Sequence, residues 1–283
     1  MKPLNECRIL IVGLGLMGGS YADALTSKGF EVGAITRKQS TIDLALERGL
    51  IRHGSTEIKK EYVEKFDIIV FALYPHIFTE WIEKYQDYFK PGALLTDVTG
   101  VKGSIVYKIQ EMLRGDVEFI GAHPMAGREM SGIEYATGDI FKGANYIVTP
   151  TEKNSEEAIE TCKELGKALG CGKIRTLTPG AHDEMIGFLS QLTHCIAVSL
   201  MVCKDSRHLS DYTGDSFRDL TRIARINDEM WSELFLLNKE ELLRQMDLFL
   251  DKFNELKGFI ENDDVSGMRE MMRLSTIRRG YFD

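Results

Sequence analysis

The sequence predicts an α/β fold, a doubly wound and mostly parallel sheet, followed by an all-α domain. Three observations carry this. Short apolar runs alternate with helical segments of about ten to fifteen residues through the first 180 residues, the pattern of βαβ units. Runs such as Ile68-Ile69-Val70-Phe71 are apolar at every position, as in a central strand covered on both faces. After Pro179-Gly180 no convincing strand remains. The expected division is 1–178 for the α/β part and 179–283 for the helical part.

In order, the apolar runs place strands at 7–12, 31–36, 66–73, 93–97, 118–121, 145–149 and 173–178. Helical periodicity places helices between them at 18–28, 39–48, 77–88, 103–112 and 155–169. In the second part Met185, Leu189, Leu192, Ile196 and Leu200 recur at three and four residues, one face of a helix. A helix is expected at 216–226. A long one begins near Asp228, an N-cap residue type, and runs to about 257 with Trp231, Leu234, Phe235, Leu242, Met246, Phe249 and Phe253 on a stripe. A last helix covers 265–277.

With 283 residues the chain suits two domains. Its formal charge of −8 argues against a broad phosphate-backbone binder, so no nucleic-acid partner is expected. No uninterrupted apolar run of about 18 residues, the length of a membrane span, is seen, and no membrane association is expected. The apolar stretch 9–17 loosely mimics a signal peptide, but glycines interrupt it; a buried strand entering a loop is the better reading. The cysteines at 7, 162, 171, 195 and 203 form no CxxC and no zinc spacing, which points to reduced thiols in the cytoplasm and to no metal site.

The first strand runs into Gly13-Leu14-Gly15-Leu16-Met17-Gly18, a GxGxxG. After a strand and before a helix, this is the turn of a Rossmann-like dinucleotide-binding domain. Gly13 permits the tight turn, Gly15 lets the backbone approach a pyrophosphate, and Gly18 lets helix and strand pack closely. Leu16 and Met17 lie in the same turn. An NAD-preferring fold carries an acidic residue at the end of the second strand. Here that place holds Thr36, followed by Arg37, Lys38, Gln39, Ser40 and Thr41. Cations and hydroxyls suit a 2′-phosphate, so NADP is expected over NAD; a solvated charged turn is the alternative. Leu73 and Asp97, at the ends of the third and fourth predicted strands, complete the expected cofactor set.

Two further segments end strands at the sheet edge where ligands bind in doubly wound folds: 97–103 (DVTGVKG) and 121–129 (GAHPMAGRE). His123 is a natural general base there, and a capping or packing histidine is the alternative.

Taken together, 13–20 (GLGLMGGS), 97–102 (DVTGVK), 121–132 (GAHPMAGREMSG), 141–150 (FKGANYIVTP), 182–194 (HDEMIGFLSQLTH), 217–224 (FRDLTRIA), Met230-Trp231 and Asn238-Lys239 resemble the prephenate/arogenate dehydrogenase family of tyrosine biosynthesis. They occur in family order across about 13 to 240. The resemblance implies oxidative decarboxylation of prephenate to 4-hydroxyphenylpyruvate, or of arogenate to tyrosine. It implies that His123 takes the hydroxyl proton as hydride leaves for the nicotinamide. Arg222 matches the family's substrate-binding arginine, and His194 matches the last residue of its SHLPH pattern. Gly127, in the HPMAG motif, and Gln191 join the expected substrate site. Arg218 lies one turn from Arg222, where a solvated or dimer-facing charge is the alternative.

The sequence departs from the family pattern at Gly100, where many members carry a serine that assists the histidine. Thr99 is the candidate substitute. Gln191 and Thr193 replace the usual His and Pro, which leaves prephenate and arogenate both open. No chorismate mutase or ACT segment is expected, and a homodimer formed through the helical domain is. A β-hydroxyacid dehydrogenase, a pyrroline carboxylate reductase and a non-catalytic NADP-binding protein remain as rivals.

Overall fold

The computed structural model describes residues 2–127, 130–205 and 207–282. The strands are β1 (Arg8–Val12), β2 (Glu31–Ile35), β3 (His53–Ser55), β4 (Ile68–Phe71), β5 (Leu94–Asp97), β6 (Glu118–Pro124), β7 (Asn145–Thr149) and β8 (Lys173–Thr176). They form one sheet in the order β3-β2-β1-β4-β5-β6-β7-β8. The order reverses between β2-β1 and β4, which is the switch point of a doubly wound fold. Every pairing is parallel except β6 with β7.

The central strands are buried along nearly their whole length, which explains their unbroken apolar runs. The helices around the sheet are α1 (Leu16–Thr26), α2 (Gln39–Glu47), α3 (Lys60–Val63), α4 (Pro75–Tyr85), α5 (Gly103–Met112) and α6 (Glu156–Leu169). One core packs Tyr21, Leu25, Ile42 and Leu165 against Ile9, Ile11 and Val70. The other packs Phe78, Ile82, Ile105 and Ile109 against Leu10, Ile69, Phe71 and Leu95.

The helical part holds α7 (Pro179–Ile186), a π-helical segment (Gly187–Leu192), α8 (Thr193–Val202), α9 (Asp215–Thr221), α10 (Asp228–Leu237), α11 (Lys239–Glu261) and α12 (Val265–Arg279). Three expectations need correction. The helix expected at 216–226 closes as α9 and continues as a 3₁₀ turn, Arg222–Ala224. The long helix from Asp228 breaks at Asn238, whose backbone leaves the helical region (φ −118°, ψ 30°) while its buried amide bonds across to α7 and the π segment. The first helix of this part is not uniformly wound. Its π segment inserts an i→i+5 turn, so Leu189 is exposed while Leu192 is buried.

The continuous helical run Pro179–Val202 also has the length and mean hydropathy (1.7) of a membrane span, which the strictly apolar count did not register. Here it carries the buried, hydrogen-bonded His182, Asp183 and Gln191. β3, with the sequence His-Gly-Ser, was not foreseen, because three half-buried residues give no apolar signal. β6 runs three residues further than expected, since pairing with β7 carries it through His123 and Pro124.

Candidate active site

The glycine turn is built as its spacing predicts. Gly13 has φ +97°, a conformation that favours glycine, and a Cβ there would lie 2.5 Å from the Ala72 carbonyl oxygen. A Cβ on Gly18 would lie 1.8 Å from the Gly13 carbonyl oxygen, whereas one on Gly15 would meet open space. Gly15 is the N-cap of α1, which begins with Leu16 and Met17, and no side chain caps it. The first N–H groups of α1 therefore face an open cradle, which fits a dinucleotide pyrophosphate. Leu73 closes one wall of the turn, its Cδ2 within 2.8 Å of a Cβ on Gly13.

Thr36 follows β2 directly, and its N–H donates to the Ser55 carbonyl. Arg37, Lys38 and Gln39 are exposed and Thr41 is partly buried. Lys38 is the N-cap of α2, again without a side-chain cap, and Gln39 is tied to Asp43 (2.8 Å). Among the described residues no ion pair engages Arg37 or Lys38.

Asp97, expected in the cofactor set, is fully buried at the end of β5. Its carboxylate accepts from the Lys102 ammonium (2.6 Å), the Ala122 N–H (3.1 Å), the Thr99 N–H (3.0 Å) and the Thr99 hydroxyl. It ties the β5–α5 loop to β6. Thr99, the candidate substitute for the serine, has its buried hydroxyl engaged by Asp97, the Val101 carbonyl and Lys102. Position 100 is the one beside that imidazole. A Cβ on Gly100 would lie 3.9 Å from Cε1 and 4.0 Å from Nε2 of His123. Burial pushes the Lys102 ammonium down, against the Asp97 carboxylate.

His123 sits one residue before the end of β6, in register with Ile147. Its Nδ1 is 3.0 Å from Nε2 of His182, whose own Nδ1 is 2.8 Å from Oδ1 of Asp183. The hydrogen-bond directions follow from the carboxylate. Asp183 only accepts, so Nδ1 of His182 carries the proton and its Nε2 accepts. His123 must then donate from Nδ1, which leaves the lone pair on Nε2, on the side of Gly100. Burial, then the neighbouring His182 and Lys102, hold the His123 imidazole well below the ordinary 6.5. Burial also lowers His182, against its bond to Asp183. The pair is neutral near neutral pH, as a proton acceptor must be.

Asp183 does a second job. Its Oδ1 accepts the Lys102 N–H (2.8 Å) and its Oδ2 the Gly103 N–H (2.7 Å). It thereby caps α5, whose local N-cap residue, Lys102, supplies no side-chain bond. His182 and Lys102 were present in the matching motifs without a role, and Asp183 was expected only on a polar helix face lining the pocket. Their signal lay in a helix start with a cation at its N-cap, which needs an acceptor from elsewhere.

On the helical side, Gln191 is 1% exposed, and its amide donates to the Leu234 carbonyl (3.0 Å) and accepts from Asn238 (2.7 Å), so it fastens helices together. His194 is partly buried; Nδ1 is 2.9 Å from the Ser190 carbonyl, and its ring lies against Trp231 with centroids 3.8 Å apart. Arg222 is exposed at the start of a 3₁₀ turn that packs against α8, the helix of His194. Arg218, one turn back on α9, is exposed too. Gly127 is exposed four residues beyond His123; Arg128 and Glu129, the next residues of that motif, lie outside the described residues.

A glycine-turn dinucleotide fold with a neutral imidazole at its sheet edge and a helical wall has the form of a nicotinamide-dependent dehydrogenase. The family models agree: "prephenate dehydrogenase, nucleotide-binding domain" matches residues 21–174, and "prephenate dehydrogenase, dimerization domain" matches 178–274. The chain belongs to the prephenate dehydrogenase family. It is 28% identical to the prephenate dehydrogenase of Bacillus subtilis over 269 residues, 92% of this chain and 72% of that one. Prephenate dehydrogenase from A. aeolicus, solved with hydroxyphenyl propionate and NAD+, superposes with a TM-score of 0.89 at 30% identity over the whole of both chains. Synechocystis arogenate dehydrogenase superposes at 0.84 with 26% identity, covering 98% of this chain and 100% of its own.

Proposed function

We propose that this protein is a prephenate dehydrogenase that converts prephenate to 4-hydroxyphenylpyruvate and CO2 and prefers NADP. The observation that carries the reading is the neutral His123, held by His182 and Asp183 with its Nε2 lone pair turned toward the Gly100 side of the sheet edge. The bound nicotinamide supplies the hydride acceptor. His123 takes the proton of the ring hydroxyl at Nε2 as hydride leaves the carbinol carbon. The ring carboxylate then departs as CO2, and aromatisation makes the sequence irreversible. His182 and Asp183 stabilise the imidazolium that forms. Arg222 is assigned to a substrate carboxylate, His194 to the substrate side chain, and Gly127 to the substrate site.

The cofactor assignments are Gly13, Gly15, Leu16, Met17 and Gly18 for the pyrophosphate, Leu73 for the adjoining wall, and Thr36, Arg37, Lys38, Gln39 and Thr41 for the adenosine ribose with its 2′-phosphate. Exposed cations and the lack of a carboxylate at Thr36 support NADP. We assign 1–178 to dinucleotide binding and 179–283 to substrate binding and dimerisation. Exposed Leu236, Leu243, Leu250, Phe253 and Ile260 on α10 and α11 support a homodimer. Free cysteines support a cytoplasmic location. The likeness to the Synechocystis enzyme favours arogenate as the second reading of the substrate.

One assay tests these assignments: initial rates for prephenate and arogenate, each with NAD and NADP, on the parent and on His123→Asn. The parent is expected to reduce NADP with prephenate, and the variant to lose about 10²–10⁴-fold in kcat. A parent without prephenate- or arogenate-dependent reduction sinks the dehydrogenase reading. Faster rates with NAD sink the reading of residues 36–41.

A further inference from the structure

Glu233, on α10, reaches out of the helical part and closes on the start of α4. Its Oε1 accepts the backbone N–H of His76 (2.7 Å) and its Oε2 lies 2.9 Å from Nδ1 of the same residue. Beside it, Asn227 donates to the Tyr74 hydroxyl (3.1 Å). The N-cap of α4 is Tyr74, which supplies no side-chain cap, so the local sequence leaves these N–H groups to a partner from across the fold.

The place of this clasp matters. Residues 74–76 immediately follow Leu73, which walls the glycine turn. On the other side, α10 carries Leu234, whose Cδ1 would lie 3.7 Å from a Cβ on Gly100, the position that also faces His123. Leu234 is 8% exposed and belongs to the apolar core of the sheet. Trp231, two residues before Glu233, lies against His194. One short helix thus reaches the residues after the cofactor wall, the Gly100 position beside the base, and the substrate wall.

We infer that Glu233 is a positioning residue: by clasping His76 it sets how α10 closes over the site, and so places Leu234 against Gly100, the position beside His123, and Trp231 against His194. The inference rests on the proposed dehydrogenase reading for its kinetic readout, but dinucleotide binding can be measured without turnover. Loss of the clasp leaves the glycine turn and the residues after β2 intact, so dinucleotide affinity is retained while catalysis suffers.

The test uses the full chain with Glu233→Ala, Glu233→Gln, His76→Ala and the double variant. The readouts are NADPH affinity by fluorescence, steady-state kinetics with prephenate and melting temperature. We expect Glu233→Ala to keep the NADPH Kd within about twofold and to lower kcat/KM for prephenate about tenfold, the effect of losing one charge-assisted bond. Glu233→Gln, which retains an acceptor for the His76 N–H, restores part of that loss. The double variant equals Glu233→Ala, because the two residues act as one contact. Unchanged kinetics with a lower melting temperature would assign Glu233 to stability alone and overturn the inference, as would additive losses in the double variant. If Glu233→Ala does not fold, Glu233→Gln and His76→Ala carry the same comparison. A parent that binds NADPH but turns over neither substrate refutes the reaction assigned above, not the clasp, which then predicts faster hydrogen exchange at α10 in Glu233→Gln than in the parent.

Discussion

Replacing Asp183 by Asn separates the two jobs this carboxylate does. It accepts three bonds, from Nδ1 of His182 (2.8 Å), from the Lys102 N–H (2.8 Å) and from the Gly103 N–H (2.7 Å), and it is only 6% exposed. Asparagine keeps the shape but offers one acceptor oxygen, and its NH2 must then face at least one N–H donor. Losing one or two charge-assisted bonds at about 1.5–3 kcal/mol each, with a buried donor left unpaired, gives a destabilisation of about 3–5 kcal/mol. The kinetic cost is separate. Without the carboxylate nothing fixes the proton on Nδ1 of His182, so Nε2 of His182 no longer has to accept from His123, and the lone pair of His123 is not held toward the substrate. A fall of about 10²-fold in kcat is expected, within the range that general-base catalysis supplies. Melting temperature and initial rates at saturating prephenate measure the two effects on one sample. A variant that is destabilised yet turns over within twofold of the parent would refute the histidine relay and leave Asp183 as a helix cap.

Three further outcomes are expected. Arg37→Ala should raise KM for NADP about tenfold, the worth of a lost charge-assisted phosphate contact, and leave KM for NAD unchanged; equal effects on both would remove the 2′-phosphate assignment. Gly18→Ala should abolish dinucleotide binding, because its Cβ would fall 1.8 Å from a backbone oxygen that cannot give way, and a normal NADPH titration would contradict the geometry of the turn. His123 and His182 are both held below 6.5 in the folded protein. The acid limb of kcat/KM should therefore fall below pH 6.5. Below that value the unfolded chain binds more protons than the folded one, so stability should decline as pH falls from 6.5 toward the folded values. A stability profile that is flat through that window would count against the buried neutral pair.

Much of the fold was legible because each sheet element is a short run bounded by turn residues, and GxGxxG names its own place after β1. What escaped has physical reasons. β3 is a half-buried His-Gly-Ser edge with no apolar signal. The π segment breaks the 3.6-residue period that the stripe from Met185 to Leu200 assumed. Asn238 reads as an ordinary helical residue until its side chain is seen bonded to Asp183 and Gln191. In the site, His123 was singled out because strand ends are where ligands bind in this fold. That Asp97 and Thr99 bond to each other and to Lys102 was not legible, because a motif gives residue order and not the direction a side chain points. His182, Asp183 and Glu233 act across distances of 59 to 157 residues, which local spacing does not encode.

The helix starts at the sheet edge now sort into two kinds, and the sorting bears on where anions bind. α1, α2, α4 and α5, like the single turn α3, lack a capping side chain of their own. α4 and α5 receive carboxylates from the helical part, Glu233 and Asp183. The starts of α1 and α2 receive none among the described residues. Each unfilled start carries the partial positive charge of unpaired N–H groups. Among the starts left open, those of α1 and α2 lie beside Gly15 and beside Arg37 and Lys38, where the pyrophosphate and a 2′-phosphate are assigned. A chain with a formal charge of −8 gains nothing from its overall field when it takes an anionic cofactor. It can direct that cofactor by filling the starts of α4 and α5 with its own carboxylates and leaving those of α1 and α2 to phosphate.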